Sequence, residues 1–252
     1  MNETPPVSDA PQQSPPQSVR VSVPQSAPYV TYSIIAITVL FYVLQLLSES
    51  TLGTDLLVIY GARINEAILD GELWRFLTPA LLHGSLPHIA FNMYALLSFG
   101  TSLERHFGHG RFFLLYVLGA FTGNVASFLF SPGYSVGAST AIFGLLGAEA
   151  VFLIQNRKVF PGQFRSAIGN IIFIAAINLF IIGSLPGIDN WGHIGGLIGG
   201  LMFASFAGPL WDFEGVYPAY RLVDRRSFRA VLVGAATVIL IFGVLAMWGM
   251  MR

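Results

Sequence analysis

Seven long apolar segments constrain this chain more than any other feature of its sequence. Each is close to the length of about 20 residues that crosses a bilayer as a helix. Backbone N–H and C=O groups in lipid must be satisfied within their own segment, so helices are predicted throughout. The segments lie at 30–48, 86–103, 112–131, 139–155, 166–184, 191–208 and 230–250.

The composition excludes several classes of protein. Of the 252 residues, 54% are hydrophobic and only 10% are charged, which is too apolar for an average soluble domain. The formal net charge is zero, so nothing favours a nucleic-acid partner. The chain has no cysteine and no HExxH motif, which removes thiolate chemistry and the commonest zinc-protease site. No metal and no cofactor is therefore predicted.

Three regions are predicted along the chain. Residues 1–28 contain seven prolines among Gln and Ser, so we expect a disordered cytoplasmic tail. Residues 29–208 are predicted to form a six-helix core. Residues 209–252 are predicted to form a cytoplasmic linker and one extra C-terminal transmembrane helix. The predicted fold class is thus an all-α polytopic membrane protein.

The basic residues predict an orientation in the membrane. With the N-terminus in the cytoplasm, ten of the 13 Lys and Arg residues lie inside, and only Arg63, Arg75 and Arg252 lie outside. We expect an integral protein of a bacterial cytoplasmic (inner) membrane, with the N-terminus cytoplasmic and the C-terminus outside. The lipid bilayer is then a partner, and the oligomeric state stays open.

Four polar residues share a shallow depth in this topology. His88, Asn92, Ser139 and His193 each lie within the first turn or two of a helix that begins at the outer face. A serine at a helix start, beside free backbone N–H groups, suits acyl transfer, although the stretch alone is more typical of a helix cap or of packing in a tight seam. An ionisable residue such as His193 inside a span is usually functional. We interpret Ser139 as a nucleophile and His193 as its general base.

Small and aromatic residues predict how these helices meet. Gly196 and Gly200 share one helical face with His193, so the sixth helix can press against the small-residue seam of the fourth. That contact would bring His193 to Ser139. Phe143, four residues after Ser139, could pack on the imidazole.

The other histidines receive different interpretations. His88 and Asn92 are four residues apart and suit an oxyanion hole, or else interhelical hydrogen bonds. His83 is predicted to be a structural residue at the interface, and His106 and His109 are predicted to be solvated loop residues.

No acidic residue is assigned to a catalytic triad. Asp189 precedes His193 by four residues and could orient its imidazole, although solvation in a loop is favoured. Glu149 lies ten residues past Ser139, roughly 15 Å deeper and on another face, which is too far to serve. As an intramembrane carboxyl group, Glu149 should have a polar partner or water.

An ordered set of motifs, spanning about residues 57–205, resembles the rhomboid intramembrane serine proteases. The set comprises Trp74-Arg75, His83-Gly84-Ser85-Leu86-Pro87-His88 with Asn92, Glu104-Arg105 with Gly108 and Arg111-Phe112, Gly137-Ala138-Ser139, and His193 with Gly196 and Gly200.

The resemblance implies a six-helix rhomboid-like core with a serine–histidine dyad and no catalytic acid. It implies that Ser139 is the nucleophile, that His193 is the base, and that His88, Asn92 and the Ser139 backbone N–H form the oxyanion hole. The helix at 230–250 resembles the extra helix of the six-plus-one arrangement.

The resemblance also implies supporting roles and shows two departures. Trp74-Arg75 would lie in a structured first loop that dips into the outer leaflet, and Glu104-Arg105 would stabilise the fold. Phe143 stands where tyrosine is common, which keeps the stacking on the imidazole but removes a hydroxyl. Thr140 stands where many bacterial members have a smaller residue, and it is expected to narrow the site.

These features together predict a serine endopeptidase that cleaves transmembrane or membrane-proximal segments of membrane proteins near the outer face. Two alternatives come from other classes. An inactive rhomboid-like protein that binds transmembrane clients is disfavoured by the presence of both Ser139 and His193. A small-solute transporter is disfavoured because no inverted repeat is detectable and charges within the spans are few.

Overall fold

The computed structural model describes residues 25–162, 164–216 and 219–252, so most of the predicted N-terminal tail lies outside the described residues. The long helices are α1 (Tyr29–Leu52), α4 (Leu86–Ala95), α5 (Thr101–Phe107), α6 (His109–Phe130), α7 (Ser139–Gln155), α8 (Phe164–Ala176), α9 (Asn190–Ala207) and α10 (Phe228–Met250). Two short helices, α2 (Leu56–Gly61) and α3 (Asn65–Leu69), and 3₁₀ turns at Leu73–Phe76 and Thr78–Leu81 lie between α1 and α4.

All seven predicted apolar segments are helical. A π-helical turn at Leu96–Gly100 joins α4 to α5, and α8 continues through a π turn at Ile177–Ile181 and a 3₁₀ turn at Ile182–Ser184. Within the described ranges, α1, α6, the extended α8 and α10 are long and apolar enough to cross a membrane. The fold is an all-α membrane fold, as predicted, and its division into six helices plus one stays a prediction.

The centre of the bundle is formed by α6, α7 and α9. Over its most apolar stretch α6 is 72% buried inside the protein, whereas the extended α8 is only 6% buried. A helix that is apolar all round and buried belongs to a core, and one that is apolar but exposed belongs against lipid. The central helices thus carry the protein–protein packing, and α8 lies at the periphery.

The loop between α1 and α4 is structured by side-chain hydrogen bonds to its own backbone. The buried Arg75 guanidinium donates to the carbonyl oxygens of Ala62 at 2.6 Å and Ile59 at 2.8 Å. The half-exposed Trp74 donates through Nε1 to the Tyr60 carbonyl at 3.0 Å. These bonds satisfy backbone acceptors that the short helices leave free.

The fully buried carboxylate of Glu104 ties the start of α1 to the junction of α5 and α6. It accepts from the Val30 N–H at 2.8 Å and from both the N–H and the hydroxyl of Thr31 at 2.7 Å. The Nδ1 of His109 lies 2.6 Å from Oε1, the same oxygen that accepts from Val30, whereas Thr31 donates to Oε2. Arg105, by contrast, is exposed, so the structure places the stabilising contacts on Glu104.

The prediction that His106 and His109 are solvated loop residues is wrong. The helix that was expected to end near residue 103 continues to Phe107, and α6 begins at His109, directly after Gly108 at a φ of +74°. The His106 ring stacks on Phe152 with centroids 5.0 Å apart. Only one glycine in the left-handed region separates the two helices, so no loop exists there.

Replacing Glu104 by glutamine is expected to destabilise the fold by about 3 kcal/mol, because an amide offers one acceptor oxygen to a pocket of buried donors. Unfolding in mixed detergent micelles measures this loss. Arg105→Gln, at the exposed neighbour, is the control and is expected to change stability by about 0.5 kcal/mol at most. Equal stabilities for the two variants would contradict the conclusion that the Glu104 carboxylate stabilises the fold.

The predicted linker contains a β-hairpin that the sequence did not indicate. Strands β1 (Trp211–Glu214) and β2 (Arg221–Asp224) pair antiparallel, with Trp211 opposite Asp224. Arg111 in α6 donates to the Asp224 carboxylate at 2.5 Å. The hairpin is therefore attached to the bundle before α10 begins.

Candidate active site

The loop before α7 positions Ser139, the first residue of that helix. Gly137 has a φ of +132°, a conformation that an L side chain rarely adopts, and its N–H donates to the Pro79 carbonyl at 2.9 Å. Ala138 then forms the N-cap without a side-chain bond to the helix. The N–H groups of the first turn consequently have no partner within the helix.

The carboxylate of Asp189 caps α9, the helix that carries His193. It accepts from the Gly192 N–H at 3.0 Å, from the Ser131 hydroxyl at 2.8 Å and from the Ser127 hydroxyl. Burial raises the pKa of Asp189, but these hydrogen bonds outweigh burial, so the net pKa lies below its usual value. The expectation of a solvated loop residue is wrong, because serines from α6 and the following loop replace the water.

Two glycines of α9 bring its backbone against that of α7. A Cβ atom added at Gly196 would collide with the carbonyl oxygen of Thr140, and one at Gly200 with the carbonyl oxygen of Gly144. Gly144 is itself close to α6, since a Cβ atom added at Gly144 would lie 2.9 Å from the Cα of Gly119. Backbones approach this closely only where no side chain intervenes.

Ser139 and His193 meet at this contact. The Ser139 Oγ lies 2.9 Å from the His193 Nε2, although the residues are 54 positions apart. The Phe143 ring lies parallel to the imidazole, with centroids 4.3 Å apart and 8° between the planes. His193 is buried and Ser139 is half-buried. Among the described residues the His193 Nδ1 has no hydrogen-bond partner, so no acid orients it.

The buried side chain of Thr140 lies between α6 and α9. A Cβ atom at Gly123 would lie 2.9 Å from the Thr140 Cγ2, and one at Gly192 would lie 3.0 Å from it. Thr140 thus fills the seam between these two helices. The expectation that it narrows the site stays a prediction.

His88 and Ser139 lie against the same side of Gly137. A Cβ atom at Gly137 would be 2.8 Å from the His88 Nε2 and 3.7 Å from the Ser139 Oγ. The buried Asn92, one turn further along α4, donates one of its amide N–H groups to the His88 carbonyl at 3.0 Å. The glycine thus leaves room for an imidazole beside the serine.

His83 supports the loop before Ser139. Its Nε2 accepts from the Ala138 N–H at 3.4 Å, and its ring packs edge-on against His88 at 5.0 Å. Gln45 of α1 holds the His83 backbone by accepting from its N–H at 3.0 Å and donating to its carbonyl at 3.1 Å. The sequence analysis did not identify Gln45, although a lone amide in an apolar segment is a signal that could have found it.

Stability is expected to fall as the pH drops below about 6.5, because His83 is neutral in the folded state. Burial, with a smaller effect from His88, lowers the pKa of His83 to about 3. Because the pKa of His83 is lower in the folded state than in the unfolded state, its contribution to stability is complete above the unfolded pKa of about 6.5. That contribution is lost as the pH falls from there towards about 3. Between about pH 7.5 and pH 5 the loss is about 2 kcal/mol.

Mixed-micelle unfolding of the wild type and of His83→Gln at both pH values measures this contribution. Glutamine retains an acceptor for the Ala138 N–H but does not titrate, so the pH dependence should shrink by about 2 kcal/mol. An unchanged pH dependence in the variant would assign the effect to other groups.

Glu149 lies almost three turns along α7 from Ser139, and it is half-buried. Its Oε2 has no hydrogen-bond partner within the described part of the chain. The distance to Ser139 along the helix keeps this carboxyl group away from the serine and the imidazole.

Comparison with known proteins yields matches to one family. The model of the Rhomboid domain matches residues 70–209, which include Trp74, Ser139 and His193. "Rhomboid protease GluP" of Bacillus subtilis (strain 168) is 47% identical over 181 residues, which cover 72% of this chain and 35% of that protein.

Plant proteins are also similar. "RHOMBOID-like protein 9, chloroplastic" of Arabidopsis thaliana is 36% identical over 154 residues, covering 61% of this chain and 35% of that protein. "RHOMBOID-like protein 2" of the same organism is 35% identical over 183 residues, covering 71% of this chain and 57% of that protein. The chain spans about a third of the length of GluP and of the chloroplastic relative.

Proposed function

Since this chain belongs to the rhomboid family, we propose that it is a serine endopeptidase that cleaves transmembrane or membrane-proximal segments of membrane proteins. The observation that carries the proposal is the 2.9 Å hydrogen bond between the Ser139 Oγ and the His193 Nε2 at the adjoining starts of two central helices. A hydroxyl paired with an imidazole is the arrangement that nucleophilic acyl transfer requires.

His193 acts as the general base in this proposal. With the proton on Nδ1, its Nε2 accepts the Ser139 proton as the oxygen attacks the carbonyl carbon, and later returns a proton to the leaving amine. The parallel Phe143 ring at 4.3 Å restricts rotation of the imidazole, a task that an acid performs in a triad. Water then hydrolyses the acyl-enzyme.

Backbone and side-chain donors stabilise the tetrahedral oxyanion. The Ser139 N–H is free at the helix start, and the positive end of the α7 dipole lies there. His88 lies beside Ser139 across Gly137. Asn92 uses one side-chain N–H for the His88 carbonyl, so its second N–H remains available to donate to the oxyanion. Donors in place before the reaction lower the barrier because they need no reorganisation.

The substrate is a membrane protein whose backbone opens near the outer face. A stable helix hides its carbonyl groups in hydrogen bonds, so glycine or proline near the scissile bond should favour cleavage. The proposed setting is a bacterial inner membrane with the N-terminus in the cytoplasm and the C-terminus outside. A reporter with an uninterrupted leucine span that is cut equally fast would contradict the preference.

A fluorophosphonate probe tests the nucleophile independently of any substrate. The purified full chain in detergent should be labelled covalently, and Ser139→Ala should not be labelled. Ser205→Ala, at an exposed serine on α9, is the matched control and should be labelled like the wild type. Undiminished labelling of a folded Ser139→Ala variant would show that another residue is the nucleophile. A wild type that binds reporters but neither cuts them nor reacts would favour client binding.

A further inference from the structure

A concave site lies at the opposite end of α7 from Ser139. It is a cavity of about 490 Å³ between the C-terminal end of α7 and the β1–β2 hairpin. Because α7 has 17 residues, the cavity lies about 25 Å from the candidate active site. It cannot belong to the site around Ser139, and the proposed proteolysis does not use it.

The charged residues that line this cavity are mainly basic. Arg157, Lys158 and Arg225 contribute to it, and Asp212 is its one acidic residue. Asp212 faces Arg225, whose Nε lies 3.4 Å from the carboxylate. Arg157 and Lys158 are exposed and form no ion pair within the described part of the chain. Two adjacent cations are thus left without a counter-charge, which favours an anionic ligand.

An aromatic side chain also lines the cavity. Trp211 contributes to it, but the Trp211 Nε1 is buried, so this indole N–H is closed to a ligand in the cavity. The cavity therefore offers a ligand two unpaired cations and an aromatic side chain.

The frame of the cavity is preformed by Asn156. Its side-chain amide donates to the carbonyl oxygens of Phe152 at 2.8 Å and Pro209 at 2.9 Å. Its side-chain oxygen accepts from the backbone N–H of Trp211 at 2.8 Å. One buried side chain therefore fixes the end of α7 to the first strand of the hairpin. A rigid site binds a ligand with less loss of conformational entropy than a mobile one.

We propose that this cavity binds a phosphate group, carried by an anionic phospholipid or by a soluble phosphate compound. Arg157 and Lys158 contact the phosphate oxygens as charged donors. The cavity adjoins the end of an apolar helix, where aromatic and basic side chains meet lipid headgroups. The half-exposed Phe213 on its rim suits contact with the start of an acyl chain.

Lipid titration of the full chain in detergent, followed by native mass spectrometry, tests the site. The wild type should bind phosphatidylglycerol about tenfold more tightly than phosphatidylcholine. Arg157→Gln/Lys158→Gln should weaken phosphatidylglycerol binding by about 25-fold, at roughly fivefold for each cation. The control Arg165→Gln/Arg229→Gln removes two exposed cations outside the cavity and should stay within about twofold of the wild type.

Two further arms separate the possible results. Trp211→Phe keeps an aromatic side chain and removes only the buried donor, so it should bind phosphatidylglycerol like the wild type. Inorganic phosphate that displaces the lipid and stabilises the wild type, but not the Arg157→Gln/Lys158→Gln variant, would identify a soluble ligand for the same site. Equal losses in the cavity and control variants, or no preference for phosphate in any form, would overturn the proposal.

Discussion

Replacing Ser139 or His193 by alanine is expected to lower the rate of reporter cleavage by about 10⁴-fold or more. The double variant should be no slower than either single variant. The physical reason is the 2.9 Å hydrogen bond between the two side chains, because the hydroxyl is a poor nucleophile without the imidazole and the imidazole has no other task. When two residues act as one catalytic unit, removing either one abolishes the rate enhancement of both, so removing the second costs nothing more.

Cleavage of a fluorescent transmembrane reporter in liposomes, with the protein in excess, measures this loss. Each variant must show the thermal melt of the wild type, and Ser205→Ala serves as the active control on α9. Losses that multiply in the double variant would mean that the two residues act in separate steps. A folded His193→Ala variant with full activity would remove the histidine from the mechanism.

Replacing Gly200 by alanine is expected to destabilise the protein by about 3 kcal/mol and to reduce cleavage in the fraction that stays folded. The added methyl group collides with the carbonyl oxygen of Gly144, and neither backbone can rotate aside. Relief requires α9 to move away from α7. Any such movement lengthens the hydrogen bond between Ser139 and His193, which the two helices carry.

Gly243→Ala in α10 is the matched control, because a Cβ atom there meets nothing within 4 Å. Alanine favours a helix over glycine, so this variant should be unchanged or about 1 kcal/mol more stable. Unfolding in mixed micelles and cleavage are measured on both variants. A Gly200→Ala variant as stable and active as Gly243→Ala would show that the seam tolerates a wider spacing.

The proposed dyad has no acidic partner at Asp189, because that carboxylate is engaged elsewhere. The carboxylate is occupied by the Gly192 N–H and by serine hydroxyls, so it stabilises the start of α9 instead of contacting the imidazole. The orientation of His193 relies on Phe143 and on the position of α9. In the proposed dyad, helix packing provides the alignment that a third residue provides in a catalytic triad.

The sequence alone determined the helical segments and the family, since backbone groups in lipid must bond within their segment and the motifs occur in a fixed order. It also placed Ser139 and His193 at one depth, because depth follows from the rise per residue along a helix. These properties are local, so periodicity and length suffice to predict them.

Only the tertiary structure decided which side chains meet. Gln45 holds His83, Asn156 holds Trp211, and Asp189 collects serines from α6 and the loop after it. These contacts join residues 38 to 62 positions apart, and their geometry depends on how whole helices rotate and tilt against one another. Helix rotation is set by the sum of many packing contacts, which no local pattern encodes, so the support of the site and the basic cavity emerged only from the folded chain.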